Sequence, residues 1–338
     1  MLPKDYIRMR LTGEVMTEHT DASGTLAFDT KNKKWSDEII GKLGINSDLF
    51  PVCKESYDFA GCVIKKVEEE TGLKAGTMVI AGCADQPAQL LGNGIIKSGR
   101  VSIIIGTGGQ GLTVAKKPIF DPKFRTNTFC NIRAWYVMGA ILGAGMSLEW
   151  LKKNIVKDFD YSDFDKIISD TPAGSEGLIF LPYIIGERTP HLNPNAKGIF
   201  YGLTLRHDYK SMVRAVAEGT SFAFRDCMEI FKEMNLDTEK IIVSGGGTRR
   251  RSWIQILADI LGKEIYMSKI NENACIGAAM LASIGSGYFP SMEEACSAFI
   301  KNVDDIVKPN KKNIELYNNS YGIFKELYIT NKSLFDKS

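Results

Sequence analysis

The run "KIIVSGGGTRRRSWIQILADILG", residues 240–262, limits the possible folds of this chain more than any other. A short β-rich stretch ends in three glycines, and a helical pattern follows at once, with Trp253, Leu257, Ile260 and Leu261 on its buried stripe. A strand that turns straight into a helix belongs to an α/β fold, in which helices cover a sheet. "RVSIIIGTGGQGLTVAKK", residues 100–117, has two β-rich arms around a glycine-rich tip and predicts a hairpin. Residues 210–234 predict the clearest helix, with Val213, Val216, Thr220, Ala223, Cys227 and Phe231 three or four apart. "ENACIGAAMLASIGSG" predicts one more helix.

The first third reads as a helix over 2–12, a strand and turn over 22–34, a short helix capped by Ser36 and closed by Gly44, and a helix over 62–75. A short strand from Met78 to Ala81 leads into a helix that begins near Asp85. The longest uncharged run, "AWYVMGAILGAGMSLEWL" at 134–151, reaches Glu149 too soon to span a bilayer. It is expected to be a buried helix packed closely through Gly139, Gly143 and Gly145. The segment 308–333, rich in Lys and Asn, is expected as a peripheral helix or a fraying tail. With 338 residues the chain can build two cores. We divide it into 1–97, 98–325 and a tail, 326–338.

Charge and cysteine usage remove several function classes. Forty-two Lys and Arg against forty Asp and Glu leave +2, with no basic stripe, so nucleic acid is not an expected partner. Seven cysteines form no C-x-x-C pair, which fits reduced thiols in a cytoplasm. His19, His191 and His207 lack metal-ligand spacing, and no metal site is expected from the chain itself. The charged opening "MLPKDYIRMRLTG" is unlike a signal peptide, so a cytoplasmic protein without a membrane partner is expected.

Two loops have the composition of a phosphate cradle. In "GTGGQG", residues 106–111, glycine lets backbone N–H groups approach an anion, and Thr107 adds a hydroxyl; the other reading is a hairpin turn that needs positive φ. In "SGGGTRRR", Gly245, Gly246 and Gly247 precede a helix N-terminus, which favours an anion; the other reading is tight strand–helix packing. Neither loop is a Walker A or a dinucleotide fingerprint. "AGCADQPAQLLGNG", residues 81–94, sets Asp85 before a helix with Pro87 in its first turn. This predicts an N-cap, a place that also favours an ionised carboxylate. Trp135, Trp150 and Trp253 read as core, and His191 as a locally bonded loop residue. Glu187 and Arg188 read as an ion pair or a solvated turn.

Several of these segments, taken in order, resemble the FGGY family of carbohydrate kinases, most closely its xylulokinase members. "LPKDYIRMRLTGE", "TDASGTLAFD" with "WSDEII", "AGCADQPAQLLGNGI", "IIIGTGG", "FLPYIIGERTPHLNPNAKGIFYGLTLRH", "SGGGTRRRSWIQILADILG" and "ACIGAAMLA" carry the likeness from residue 1 to about residue 300. The resemblance implies a two-domain, actin-like (ribonuclease H-like) ATPase fold, and phosphorylation of a sugar, D-xylulose first, by ATP with Mg2+. Ribulose, rhamnulose and glycerol are the alternative acceptors. It implies that Asp85 is the general base and that Gln86 contacts the sugar. It further implies that Gly106, Thr107 and Gly108 face phosphate, and that Gly145, Gly245, Gly246, Gly247 and Arg250 line the nucleotide.

The departures from the family pattern carry expectations of their own. "GTGG" stands for the commoner "GTSG", and Ser211 stands where the signature has an acidic or amide residue. The family's opening Asp-x-Gly-Thr loop has only a partial mimic, "DASGT" at 21–25, with one residue too many between Asp21 and Gly24. The first domain is therefore expected to be incomplete. The chain alone is expected not to phosphorylate xylulose, and to pair with itself or with a separate N-terminal chain. A non-catalytic nucleotide-binding module is the rival reading.

Overall fold

The computed structural model describes residues 1–156, 160–268, 272–300 and 305–337. Its centre is a seven-stranded mixed sheet. In chain order the strands are β1 (Arg100–Ile105), β2 (Gly109–Ala115), β3 (Asn127–Asn131), β4 (Ala134–Ile141), β5 (Lys240–Ser244), β6 (Ile265–Met267) and β7 (Ile306–Val307). Their order across the sheet is β7-β6-β5-β1-β2-β4-β3. β1 and β2 form the expected hairpin, with Ile105 opposite Gly109. β5 runs parallel to both β1 and β6.

The helices used below are α1 (Pro3–Thr12), α2 (Asp85–Gly92), α3 (Gly145–Asn154), α4 (Tyr209–Glu233), α5 (Arg251–Leu261), α6 (Asn273–Gly285) and α7 (Lys311–Phe335). Strand alternation divides the sheet's side chains between two cores. Val101, Ile103, Ile105 and Val137 join the larger core with Phe224, Cys227 and Phe231 of α4. Leu112, Val114, Tyr136 and Met138 face the other way and meet Leu90 of α2. The sheet thus separates α4 from α2. The helix that begins at Asp85 lies on the face of β2 reached by every second residue.

α2 is held from behind by α6 through backbone contact. A Cβ on Gly92 would overlap the carbonyl of Asn273, and one on Gly277 would overlap the carbonyl of Ala88. Only glycine allows two helices to come this close. Before residue 85 the structure is made of short pieces. Thr17–Glu18 pairs with Cys53–Lys54, Phe28–Asp29 with Lys34–Trp35, and Phe59–Cys62 with Met78–Ile80. Leu26, Leu49, Val52, Phe59 and Met78 in this region are exposed. Among the described residues no helix is long and apolar enough to cross a membrane. All seven thiols are free; Cys62 and Cys275 are exposed.

Four expectations need correction. The run 134–151 is not one helix. Residues Ala134–Ile141 form β4, which pairs with β2 on one side and β3 on the other, and only Gly145–Asn154 is helical. Aromatic and β-branched residues such as Trp135, Tyr136, Val137 and Ile141 suit a pleated strand, and two neighbours supply its hydrogen bonds. The close approach expected of the glycines does occur, since a Cβ on Gly143 would overlap Pro182 O and one on Gly139 would sit 2.6 Å from Cys227 Sγ. The 22–34 stretch holds the expected strand and turn only from Phe28 on, as a two-residue hairpin with Lys34–Trp35; it starts at Ala22, the last residue of the helical turn His19–Ala22. The lysine-rich C-terminal segment is helical, one of its two readings, but α7 is not peripheral and does not fray at 326: it runs on to Phe335 with Tyr317, Tyr321, Phe324, Leu327, Tyr328 and Phe335 buried. Glu187 is buried and forms no ion pair with Arg188; its Oε1 accepts from the N–H groups of Leu142 (2.9 Å) and Arg188 (2.7 Å).

Candidate active site

The two glycine loops meet at one cavity. It measures about 440 Å3 and is lined by Gly106, Thr107, Gly145, Gly246, Gly247 and Arg250, together with Tyr161 and Trp253. The meeting follows from topology. β1 and β5 are adjacent and parallel, so the loops that leave their C-terminal ends emerge side by side. The Gly106–Gly108 tip is tied to α3, whose Gly145 N–H donates to Gly106 O (3.0 Å) and Met146 N–H to Thr107 O (2.9 Å).

Most of these glycines are required by the fold, whereas a Cβ on Gly106 would make only an ordinary 3.5 Å contact with Gly108 O. Gly245 has φ +91°, and a Cβ there would come within 2.7 Å of Ile105 O. A Cβ on Gly247 would overlap the Ile105 side chain, one on Gly145 would lie 2.6 Å from Gly106 O, and one on Gly108 would lie 2.9 Å from Ile141 O. Gly246 differs, because a Cβ there meets nothing within 4 Å. The packing reading of the triple glycine holds at Gly245 and Gly247, and Gly246 leaves open space.

Two features depart from expectation. The first turn of α5 already holds a carboxylate, since Asp165 Oδ1 accepts from the N–H (2.9 Å) and the hydroxyl (2.5 Å) of Ser252. An anion at this loop would have to rely on the loop's own amides and on Arg250 rather than on that turn. Trp253, read as core, is buried, yet its Nε1–H has no partner among the described residues and it lines the cavity.

Asp85 and Gln86 lie apart from this cavity, on the first turn of α2. Asp85 is not the N-cap. Ala84 holds that position without a side-chain bond, and Asp85 is the first helical residue, exposed, with Oδ1 accepting from the adjacent Gln86 N–H at 2.7 Å. The backbone N–H of Ala84 donates to Thr20 Oγ1 (2.8 Å), and the Asp85 carboxylate faces solvent. A charged group gathers nearby. Lys4 Nζ lies 3.2 Å from Asp21 and 3.3 Å from both Asp5 and Glu18. Burial, and then the charges of Asp85 and Asp21, push the Tyr136 phenol up, so these carboxylates share one neighbourhood.

One residue was missed by sequence reading. Gln110 follows the glycines of the hairpin tip and, by strand alternation, shares the face of Leu112 and Val114 that looks toward α2. Gln86 lies one helical turn before Leu90 on the opposing surface. Both Gln86 Oε1 and Gln110 Oε1 are buried without a partner among the described residues. The alternation Gln110-Leu112-Val114 was the available signal, and the adjacent glycines obscured it.

The family model described as "FGGY family of carbohydrate kinases, C-terminal domain" matches residues 101–286, and the N-terminal domain model matches residues 1–92. A xylulose kinase of Bacillus subtilis (strain 168) is 34% identical over 336 residues, covering 99% of this chain and 67% of the relative. Among solved structures, a xylulose kinase from Lactobacillus acidophilus superposes with TM-score 0.94 at 27% identity, covering 99% of this chain and 68% of that one. A structure described as a gluconate kinase from Lactobacillus acidophilus superposes with TM-score 0.93, also at 27% identity, with the same coverage. The chain spans about two thirds of the length of the curated relatives it matches. On the family models and this identity over nearly its whole length, the chain belongs to the FGGY family of carbohydrate kinases.

Proposed function

We propose that this chain takes part in ATP-dependent phosphorylation of a sugar, D-xylulose first, with residues 98–325 holding the nucleotide and residues 1–97 offering the acceptor side. The observation that carries the reading is the convergence of Gly106, Thr107, Gly145, Gly246, Gly247 and Arg250 on one cavity. Open space at Gly246 and an unpartnered Trp253 Nε1–H fit a nucleotide there. Among the described residues no group of three His, Cys, Asp or Glu is placed to hold a metal, so Mg2+ would arrive on the phosphates, as it does where substrate oxygens complete its shell.

In this reading Asp85 accepts the proton of the sugar hydroxyl as that oxygen bonds to the γ-phosphorus and the bond to the ADP oxygen breaks. Such a base contributes about 10²–10⁴-fold in rate. The remainder comes from holding the phosphates and the acceptor in line. The unpartnered oxygens of Gln86 and Gln110 would accept from sugar hydroxyls, which repays their burial. Exposed Leu26, Leu49, Val52, Phe59 and Met78 support association of the first region with a second copy or another chain. The two structural neighbours are described for different substrates, so the acceptor is assigned by assay.

Titration of the folded chain with Mg·ADP, followed by sugar-dependent ADP release over a panel of ketoses, polyols and sugar acids, tests the reading. Saturable ADP binding and release with xylulose support it. No binding to well-folded protein overturns the nucleotide site, and release with another acceptor alone overturns xylulose.

A further inference from the structure

A second concave site lies on the far side of the sheet from α4, at the segment joining the two matched family domains. It measures about 350 Å3 and is bordered by Asn93, Lys97, Arg100, Lys240, Glu293 and Ser297. Residues 93–100 fall between the two family matches, 1–92 and 101–286.

Arg100 opens β1 and Lys240 opens β5, and the two are register partners in the parallel ladder. Both side chains border this cavity, so two cations stand beside each other on one face. Like charges facing each other across a ladder are destabilising. Neither has an ion-pair partner among the described residues, whereas Lys97 lies 3.9 Å from Glu293. Arg100 Nη1 donates to Gly94 O (2.8 Å) and Lys240 Nζ lies 4.1 Å above the Tyr266 ring, and neither contact supplies a full negative charge. Burial, and then the charge of Arg100, lower the Lys240 pKa. At the inner end Asn93 is buried. Its Nδ2 donates weakly to Ser102 Oγ (3.4 Å) and its Oδ1 has no partner among the described residues. The lining carries three cations against one carboxylate, a net of 3 − 1 = +2.

We propose that this cavity is an anion site that takes a phosphate group, held by the register-paired Arg100 and Lys240. The ligand class is inorganic phosphate or a small phosphorylated metabolite. Charge-assisted bonds from a guanidinium and an ammonium suit a phosphate dianion. An anion held here would bridge β1 and β5.

Equilibrium dialysis of the full chain with labelled inorganic phosphate, with and without saturating Mg·ADP, tests this. A parallel arm uses a pentose phosphate as competitor, which separates the two sources: displacement of the label at lower concentration than unlabelled phosphate assigns the metabolite, and otherwise inorganic phosphate is the ligand. The site predicts one equivalent of phosphate that Mg·ADP does not displace. Arg100→Gln and Lys240→Gln should each weaken it by about tenfold or more, and Lys240→Arg should retain it. No binding at millimolar phosphate, displacement by Mg·ADP, or binding unchanged in the Arg100→Gln/Lys240→Gln double variant would each overturn the proposal.

Discussion

The Cα of Gly277 rests against the carbonyl of Ala88, so that a side chain at 277 has no space to enter. This contact, with its neighbour at Gly92 and Asn273, fixes the distance between α6 and the helix that begins at Asp85. Gly277→Ala should therefore destabilise the chain, by about 1–3 kcal/mol of overpacking less up to about 1 kcal/mol of helix preference. Gly41, also helical, has nothing within 4 Å of an added Cβ, so Gly41→Ala should stabilise by about 0.5–1 kcal/mol. Urea denaturation of both variants checks the pair, and opposite signs are the expected outcome.

Gly246→Val should abolish or strongly weaken ADP binding and leave the unfolding midpoint near that of the parent, because the new side chain enters open space. Gly247→Val should lower the midpoint itself, since Ile105 occupies that position. Calorimetric ADP titration beside thermal unfolding separates the two. Equal ADP affinity in parent and Gly246→Val would show that nucleotide does not lie over Gly246.

Asp85→Asn should preserve ADP affinity and reduce sugar-dependent turnover by about 10²-fold or more. Asp85 makes no helix cap, so little stability is at stake in the substitution. A steady-state assay showing near-parental turnover would leave Asp85 without a role in proton transfer.

The pH profile of stability offers a fourth test. Burial raises the Glu187 carboxyl from 4.5 to about 8, against the pull of the Leu142 and Arg188 amides, and burial raises Asp226 from 3.8 to about 7. Each group keeps its proton in the fold across a range where the unfolded chain has released it. Their contribution is fully present below the unfolded values and is lost as pH rises toward 7–8. Glu187→Gln should remove its share, so the decline of stability between about pH 5 and 8 becomes shallower. Denaturant melts at several pH values measure this, and an unchanged slope would mean that Glu187 is ionised in the fold.

Much of the layout was legible because several segments state it locally. The hairpin at 100–115 and the strand–glycine–helix run at 240–261 each combine a β-rich stretch with a glycine turn, and both formed as read. The failures came where neighbours decide. β4 is uncharged and apolar, which suits a buried helix or a strand flanked on both sides equally well; its partners β2 and β3 settle the matter. α7 carries lysines and asparagines on its outer side, which hid the tyrosines that pack on α4. The site was half legible. Glycine loops announce themselves, and six of the named residues line one cavity. Asp85 is a first-turn residue rather than a cap, and the chain just before it is tied down by Thr20, 64 positions earlier, whose hydroxyl takes the Ala84 amide. No local pattern encodes that bond.

The seven free thiols divide by environment, with a practical consequence. Burial holds Cys53, Cys83 and Cys130 up at about 12 and Cys296 at about 11, and pushes Cys227 well above its ordinary value. Cys62 and Cys275 remain in solvent, one on the strand Phe59–Cys62 and the other on α6. A maleimide dye at neutral pH should therefore modify two positions and spare five. The native chain already carries a pair of fluorophore attachment points, one before Asp85 and one behind it, from which energy transfer could follow the spacing of its two halves as ligands are added.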